Sequence, residues 1–337
     1  MAVNIITSFG QLYLSAALPD TVDISTQDEN GSVVVKLYLD GDAVFENTLS
    51  AFGHTAKFSD IRSIIEMEMR KSGSNVASCY IAAEPSNSGG NDDDATDPFK
   101  VILSEFDIAN PAAWLASHFL TTCSSFLVAP GDAQELSWYA ATNEQVTHVI
   151  EAMVLLQDDT ITSVSWTQSA ASAGTGDVTN ETISVDDVIS HFASSGQLLM
   201  FTVYRGDNRC ISFYVMEDSH NLHFRFRNAF DVTEYLNING VSKNKVSMDA
   251  AEGVILHTTV KYDFERKEEN DVESELLTFM QTKWLGQFLT SKHIEVLCDD
   301  GQWRPVLVDG SAEPTDSKNE VNHLKFTWKF TKNIATI

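Results

Sequence analysis

The sequence predicts a mainly β protein, a β-rich α+β chain of tandem antiparallel β-sandwich-like modules, on three observations. Short β-branched and aromatic runs recur between turn signals along its whole length. Helical periodicity is confined to a few short stretches and one longer one near the C-terminus. The 337 residues exceed one small sandwich and suit two or three domains of about 100 to 130 residues, each large enough to bury a core. The expected division is a sandwich-like domain with a short helix over 1–97, a second β-rich domain over 98–218, and a C-terminal β-rich domain over 219–337 with an amphipathic helix at 271–289.

In the first domain, SVVVKLYL (32–39) reads as a strand entering a turn at Asp40-Gly41, and Val44 and Phe45 suit the return strand. Ser59 is placed to cap a helix with Ile61, Ile64 and Ile65 on one face, and VASCYIAAE reads as a strand ending at Pro85. The polar stretch 86–98 reads as a linker. In the second domain, Pro111 opens a short helix carrying Trp114, Leu115 and His118. LSWYAA, VTHVIEAMVLLQ and TITSVSWTQ follow as strands, the middle one ambiguous with helix, and 169–182 reads as a long polar loop or hairpin tip. LLMFTVY and RCISFYVM are the clearest hairpin, with Gly206 and Asn208 suited to its turn. SDIRSII (59–65) can be laid on DDVISHF (186–192), pairing Asp60 with Asp187 and Ile61 with Val188, a weak sign of two related modules. In the third domain, Asn270 with Glu273 fits a capping box, and Val272, Leu276, Met280 and Trp284 recur at helical spacing. HLKFTWKF alternates as a half-buried strand.

The net charge is 22 minus 48, or −26, spread without a long acidic tail, a field that repels polyanions and argues against nucleic-acid binding. Cys79, Cys123, Cys210 and Cys298 lie far apart, which suits free thiols rather than a zinc site or disulfide framework. MAVNIITSFGQLYL lacks a positive segment and a long apolar core, and no run approaches the length of a membrane span. Synthesis in the cytoplasm without membrane insertion is the expectation.

Candidate chemistry is sparse. Arg205-Gly206-Asp207 spells an adhesion tripeptide, but turn formation accounts for it. Asp92, Asp93, Asp94 and Asp97 offer oxygen ligands for calcium without the EF-hand order, so a solvated linker is the simpler reading. The nine histidines form no metal motif, and no nucleophile elbow, P-loop or dinucleotide fingerprint occurs, so neither enzyme nor cofactor is expected. Glu66 with Glu68 and Glu265 with Glu268 read as exposed acidic faces as readily as glycosidase pairs. Among six tryptophans, Trp303 at a hairpin return is the candidate sugar-stacking surface.

FRNAFDVTEYLNINGV, then DFERKEENDVESELLTFMQTKWLGQFLTSKHIEVL and a terminal LKFTWKF, resemble tail-associated structural proteins of Bacteroidetes phages and prophages. Arg227, Asn228, Phe230, Val232 and Glu234 match an R-N-x-F-x-V-x-E run, and Phe326 and Trp328 a final F-x-W strand; the match is specific from about residue 222. The resemblance implies a noncatalytic virion tail protein of distal-tail, hub or ring type, with copies of itself and neighbouring tail proteins as partners. Arg205, Asp207, Arg225, Arg227 and Glu234 are then the expected interface residues. The alternative is a carbohydrate-binding β-sandwich adhesin that recognises host polysaccharide through Trp303. For HFRFR followed by NAFDVTEYLNING, the expectation is a half-buried strand and a corner with Phe230 and Tyr235 packed inward.

Overall fold

A computed structural model describes residues 2–86, 93–141, 147–170, 174–192, 196–206, 208–255, 258–274, 277–312, 321–322 and 324–331. The first unit comprises β1 (Val3–Ile5), β2 (Leu12–Leu14), β3 (Thr21–Thr26), β4 (Ser32–Leu39), β5 (Asp42–Ser50), β6 (Thr55–Ser59), α1 (Ile61–Ser72), β7 (Val76–Pro85), β8 (Asp94–Ala95) and β9 (Phe99–Ile102). Strands β2, β9, β7, β4 and β5 lie side by side in that order, with β1, β3 and β6 in a smaller sheet. Val33, Val35, Leu37 and Leu39 of β4 all face inward, as period two requires. Asp40 and Gly41 both take positive φ, 50° and 95°, the backbone that a tight hairpin turn demands. Ser59 does not cap α1: it ends β6, and Asp60 at φ 63° occupies the N-cap without a side-chain hydrogen bond. Strand β9 is held between β2 and β7, so the first packed unit runs past residue 97 to Leu103.

The second unit comprises α2 (Pro111–Ser117), β10 (Ser125–Val128), β11 (Ala133–Ala140), β12 (Thr147–Leu155), β13 (Ile161–Ser169), β14 (Asp177–Ser184), α3 (Val185–Phe192), β15 (Gln197–Arg205) and β16 (Arg209–Val215). Asn110 caps α2, its Oδ1 accepting from Ala113 N at 3.2 Å. Part of the expected loop at 169–182 is strand: β14 pairs with β11 over eight residues, so its backbone groups are satisfied despite a polar sequence.

The two units share one topology. In each, a two-strand pair (β3 with β6, β11 with β14) encloses a hairpin (β4–β5, β12–β13), and a helix leads into a strand that pairs with the hairpin's first strand. The next strand pairs antiparallel, and the last neighbour is parallel (β2 on β9, β10 on β16). Aligning Ile61 with Val188 also aligns Ile65 with Phe192, and all four are buried. The seven-residue likeness in the sequence is nonetheless about one turn out of register with the repeated fold: it sets Ser59 of β6 on Asp186 inside α3, whereas the strand–helix junctions set Ile61 against Val185.

The third unit comprises β17 (Leu222–Arg227), β18 (Thr233–Ile238), β19 (Gly240–Ile255), β20 (Thr258–Ser274), β21 (Leu277–Thr278), α4 (Phe279–Thr290), β22 (Ile294–Leu297), β23 (Trp303–Ala312), β24 (Val321–Asn322) and β25 (Leu324–Phe330). Among the described residues its main sheet runs β18-β17-β22-β23-β25-β20-β19. The helix expected at 271–289 is corrected here: Asp271–Ser274 belong to β20, whose Val272 pairs with Phe326 of β25, and only Phe279–Thr290 is helical. Sheet pairing satisfies the backbone that the capping-box pattern assigned to a helix, and Val272 is buried under either periodicity.

Helix α4 wedges between the second and third units. Trp284 meets Phe126 (ring centroids 5.4 Å apart) and Phe226 (5.7 Å), while Phe288 meets Phe224 (5.4 Å) and Phe326 (5.3 Å). These belong to one continuous core reaching from Phe119 to Trp328, across the expected boundary at 218/219. Among the described residues no helix is long and apolar enough to cross a membrane.

Candidate functional site

The R-N-x-F-x-V-x-E run is the joint where all three units meet. Strand β17 ends at Arg227, and Asn228 folds the corner: its Oδ1 accepts from Phe230 N (2.8 Å) and Val232 N (3.4 Å), an Asx-type turn that holds Asp231 at φ 56°. Its Nδ2 donates to Leu120 O at 2.7 Å. Phe230 is buried beside Leu14, Ile102, Leu115 and Tyr139, with Trp114 stacked on it at 5.2 Å. From the first unit, Asn75 Nδ2 donates to Asp231 O (2.7 Å), and Arg70 lies 3.6 Å from the Asp231 carboxylate. From α4, Gln287 Oε1 accepts from Ala229 N at 3.0 Å.

Two expected interface charges are therefore internal. Glu234 is buried, because β18 alternates and Glu234 shares the inward parity of Leu236; its Oε2 accepts from Trp284 Nε1. Burial pushes its carboxyl up from the ordinary range, against the lowering effect of hydrogen bonds from Thr121, Trp284 and Asn228. By the same parity Tyr235 faces the other way, a correction to its expected inward packing. Arg205 is buried too, its guanidinium 4.5 Å from the Trp138 ring centroid, so it is not a surface contact. Asp207 and Asp92 lie outside the described residues.

Arg225 and Arg227 do point outward. Arg225 pairs with Glu295 across the β17–β22 ladder and lies over Trp303 at 4.9 Å, with Tyr235 against the same ring. Trp303 thus already packs a cation and an aromatic. Arg227 Nη1 donates to Asp231 O at 2.9 Å. Asp94 braces the first unit, its Oδ2 accepting from Ile5 N at 2.7 Å. No group of three or more His, Cys, Asp or Glu suited to a metal occurs among the described residues.

Sequence reasoning missed several buried polar groups. Arg209 donates to Leu115 O (2.7 Å) and Tyr139 O (2.8 Å), tying α2 and β11 to β16. Asp132 meets His220 Nδ1 at 2.6 Å and His223 Nδ1 at 3.6 Å, joining the second unit to the third. His148 Nε2 meets Glu181 at 3.0 Å; burial lowers its pKa against the raising effect of Glu181. Such contacts pair residues far apart in sequence, so no local pattern marks them.

The feature most suited to reaching another molecule is the β19–β20 ribbon. It is paired from Gly240↔Ser274 to Ile255↔Thr258, yet β25 pairs only with Asn270–Glu273. Beyond Asn270 no third strand supports it among the described residues, over eleven residues of β19 or about 35 Å. At its base, Lys245 pairs with Asp271 and Lys325 with Glu273, and Val246 is exposed. Its length is hidden in the sequence because VILHTTVKYDF carries no Gly or Asn turn signal. A concavity of about 470 Å³ beside the base is lined by Val241, Lys243, Asp309 and Thr327.

Compared with family models and with curated proteins, the chain matches none.

Proposed function

We propose that this chain is a noncatalytic structural component of a phage tail that assembles with copies of itself into a ring or hub, the β19–β20 ribbon docking on a neighbour. The observation that carries the reading is that, among the described residues, no third strand supports the ribbon beyond Asn270. A lone two-stranded hairpin is marginal in water, so a ribbon extending about 35 Å past its sheet gains most from packing against another surface. The resemblance of Arg227–Glu234 and of the final strand to phage tail proteins supplies the setting. The polar residues of that run serve the internal joint, which leaves the ribbon as the projecting element. The glycan-binding alternative needs an open aromatic face, and Trp303 is already packed by Arg225 and Tyr235.

The test replaces residues 247–267 with an Asn-Gly turn between the paired Val246 and Glu268 and compares masses by sedimentation, with electron microscopy of the particles. The full chain is expected to form closed rings that the shortened chain cannot form. A full chain that never exceeds a dimer at about 100 µM, or rings that survive the replacement, would overturn the reading.

A further inference from the structure

The outer face of the second unit's five-stranded sheet carries little charge. Along β12, β13, β15 and β16 it presents Val149, Met153, Ile161, Met200, Tyr204 and Tyr214. Val149, Met153, Ile161 and Tyr214 are 38%, 40%, 56% and 47% exposed. Its polar groups are mostly hydroxyls: Thr202 Oγ1 and Ser212 Oγ are 2.9 Å apart, Ser163, Ser165 and Thr167 line β13, and Glu151 is the one charge in these rows. Hydroxyls cost less to desolvate than charges. The edge strand β13, ITSVSWTQS, carries no charge, proline or glycine, so it lacks the usual protection of an exposed edge.

The equivalent face of the first unit is built for water. It carries the Lys36–Glu84 ion pair (2.6 Å), Glu46 across from Lys36, and Lys100. Two copies of one topology thus differ in the surface they turn outward.

We infer that the outer face of β12, β13, β15 and β16 is a self-association surface, packing face to face on the same sheet of a second copy. A second copy is the occupant that charge and area favour. Two chains of net charge −26 repel over most of their surfaces, and here each brings a single carboxylate, Glu151. The 34 residues of β12, β13, β15 and β16, in strands about 4.8 Å apart at about 3.4 Å per residue, project roughly 550 Å² per copy, so a pair buries about 1,100 Å², above the roughly 1,000 Å² a biological interface must clear and just below standard size. A sheet stacked on itself about 10 Å away is an isologous, two-fold contact. It does not depend on the ribbon, and the two together would link rings in pairs.

The full chain tests this through Cys210, which is exposed on the same face. Maleimide labelling of Cys210 and sedimentation mass are followed together from about 1 to 100 µM, with Val149→Lys/Met153→Lys and, as control, Lys36→Ala. The wild type is expected to protect Cys210 as its mass rises. The double lysine variant should weaken association about tenfold and restore labelling, with an unchanged melting temperature as proof of folding, while Lys36→Ala changes neither. Labelling independent of concentration overturns the proposal, as does a double variant that keeps both mass and protection. Rings that form with Cys210 freely labelled overturn it while leaving the ribbon's role standing.

Discussion

The first and second units have the same strand order and the same helix placement, yet they are stabilised differently. The first closes its main core on itself, with Val33, Val35, Leu37, Ile61 and Ile65 among residues 3–103, and meets the other units at Leu14 and Ile102. The second is open: Trp138, Phe201 and Phe213 continue through α4 into Phe224, Phe326 and Trp328 of the C-terminal sheet. A repeated topology does not make a repeated domain. What a module packs against decides whether it is an independent unit.

The largest expected effect breaks this contrast directly. Phe213→Ala should cost about 3–5 kcal/mol and lower hydrogen-exchange protection through both the second and third units. Ile65→Ala should cost about 2–5 kcal/mol, with lost protection confined to residues 3–103. Uniform loss in both variants would mean that the whole chain is one cooperative unit.

Next comes the joint. Asn228→Ala removes the Asx turn and the bond to Leu120 O, at about 1–3 kcal/mol, and should widen the gap between the first unit's calorimetric transition and that of the other two. Asn75→Ala, which leaves the turn intact, should do less. Equal effects would place the coupling elsewhere.

Acid should separate the units further. His148, in the second unit, has a folded pKa below its ordinary value of 6.5, so the unfolded chain binds the extra proton and stability falls as pH drops below about 6.5. All six tryptophans lie outside residues 1–104, so tryptophan fluorescence should report this loosening while the first unit's exchange protection holds. His148→Gln should flatten the acid limb. Glu234 works with the opposite sign: its raised pKa gives stability that is present in acid and lost as pH rises through the folded value, so Glu234→Gln should be at least as stable as the wild type near pH 8. The smallest effect belongs to Lys36→Ala, whose surface ion pair should leave the melting temperature within error.

By itself the sequence determined the β-rich class, the Asp40-Gly41 turn, the Gly206 hairpin, and the inward parity of Phe224 and Phe226. These are properties of period two, of positive φ and of local turn chemistry, and they need only neighbouring residues. Tertiary structure decided the rest. Asp271–Ser274 became strand because β25 lay beside them, and Glu234 and Arg205 went inside because Trp284 and Trp138 received them. The ribbon's length and the uncharged sheet face emerged only once strands distant in sequence were placed side by side. Pairing and burial are non-local, and a charged residue reads the same on paper whether it faces water or the indole of a residue fifty positions away.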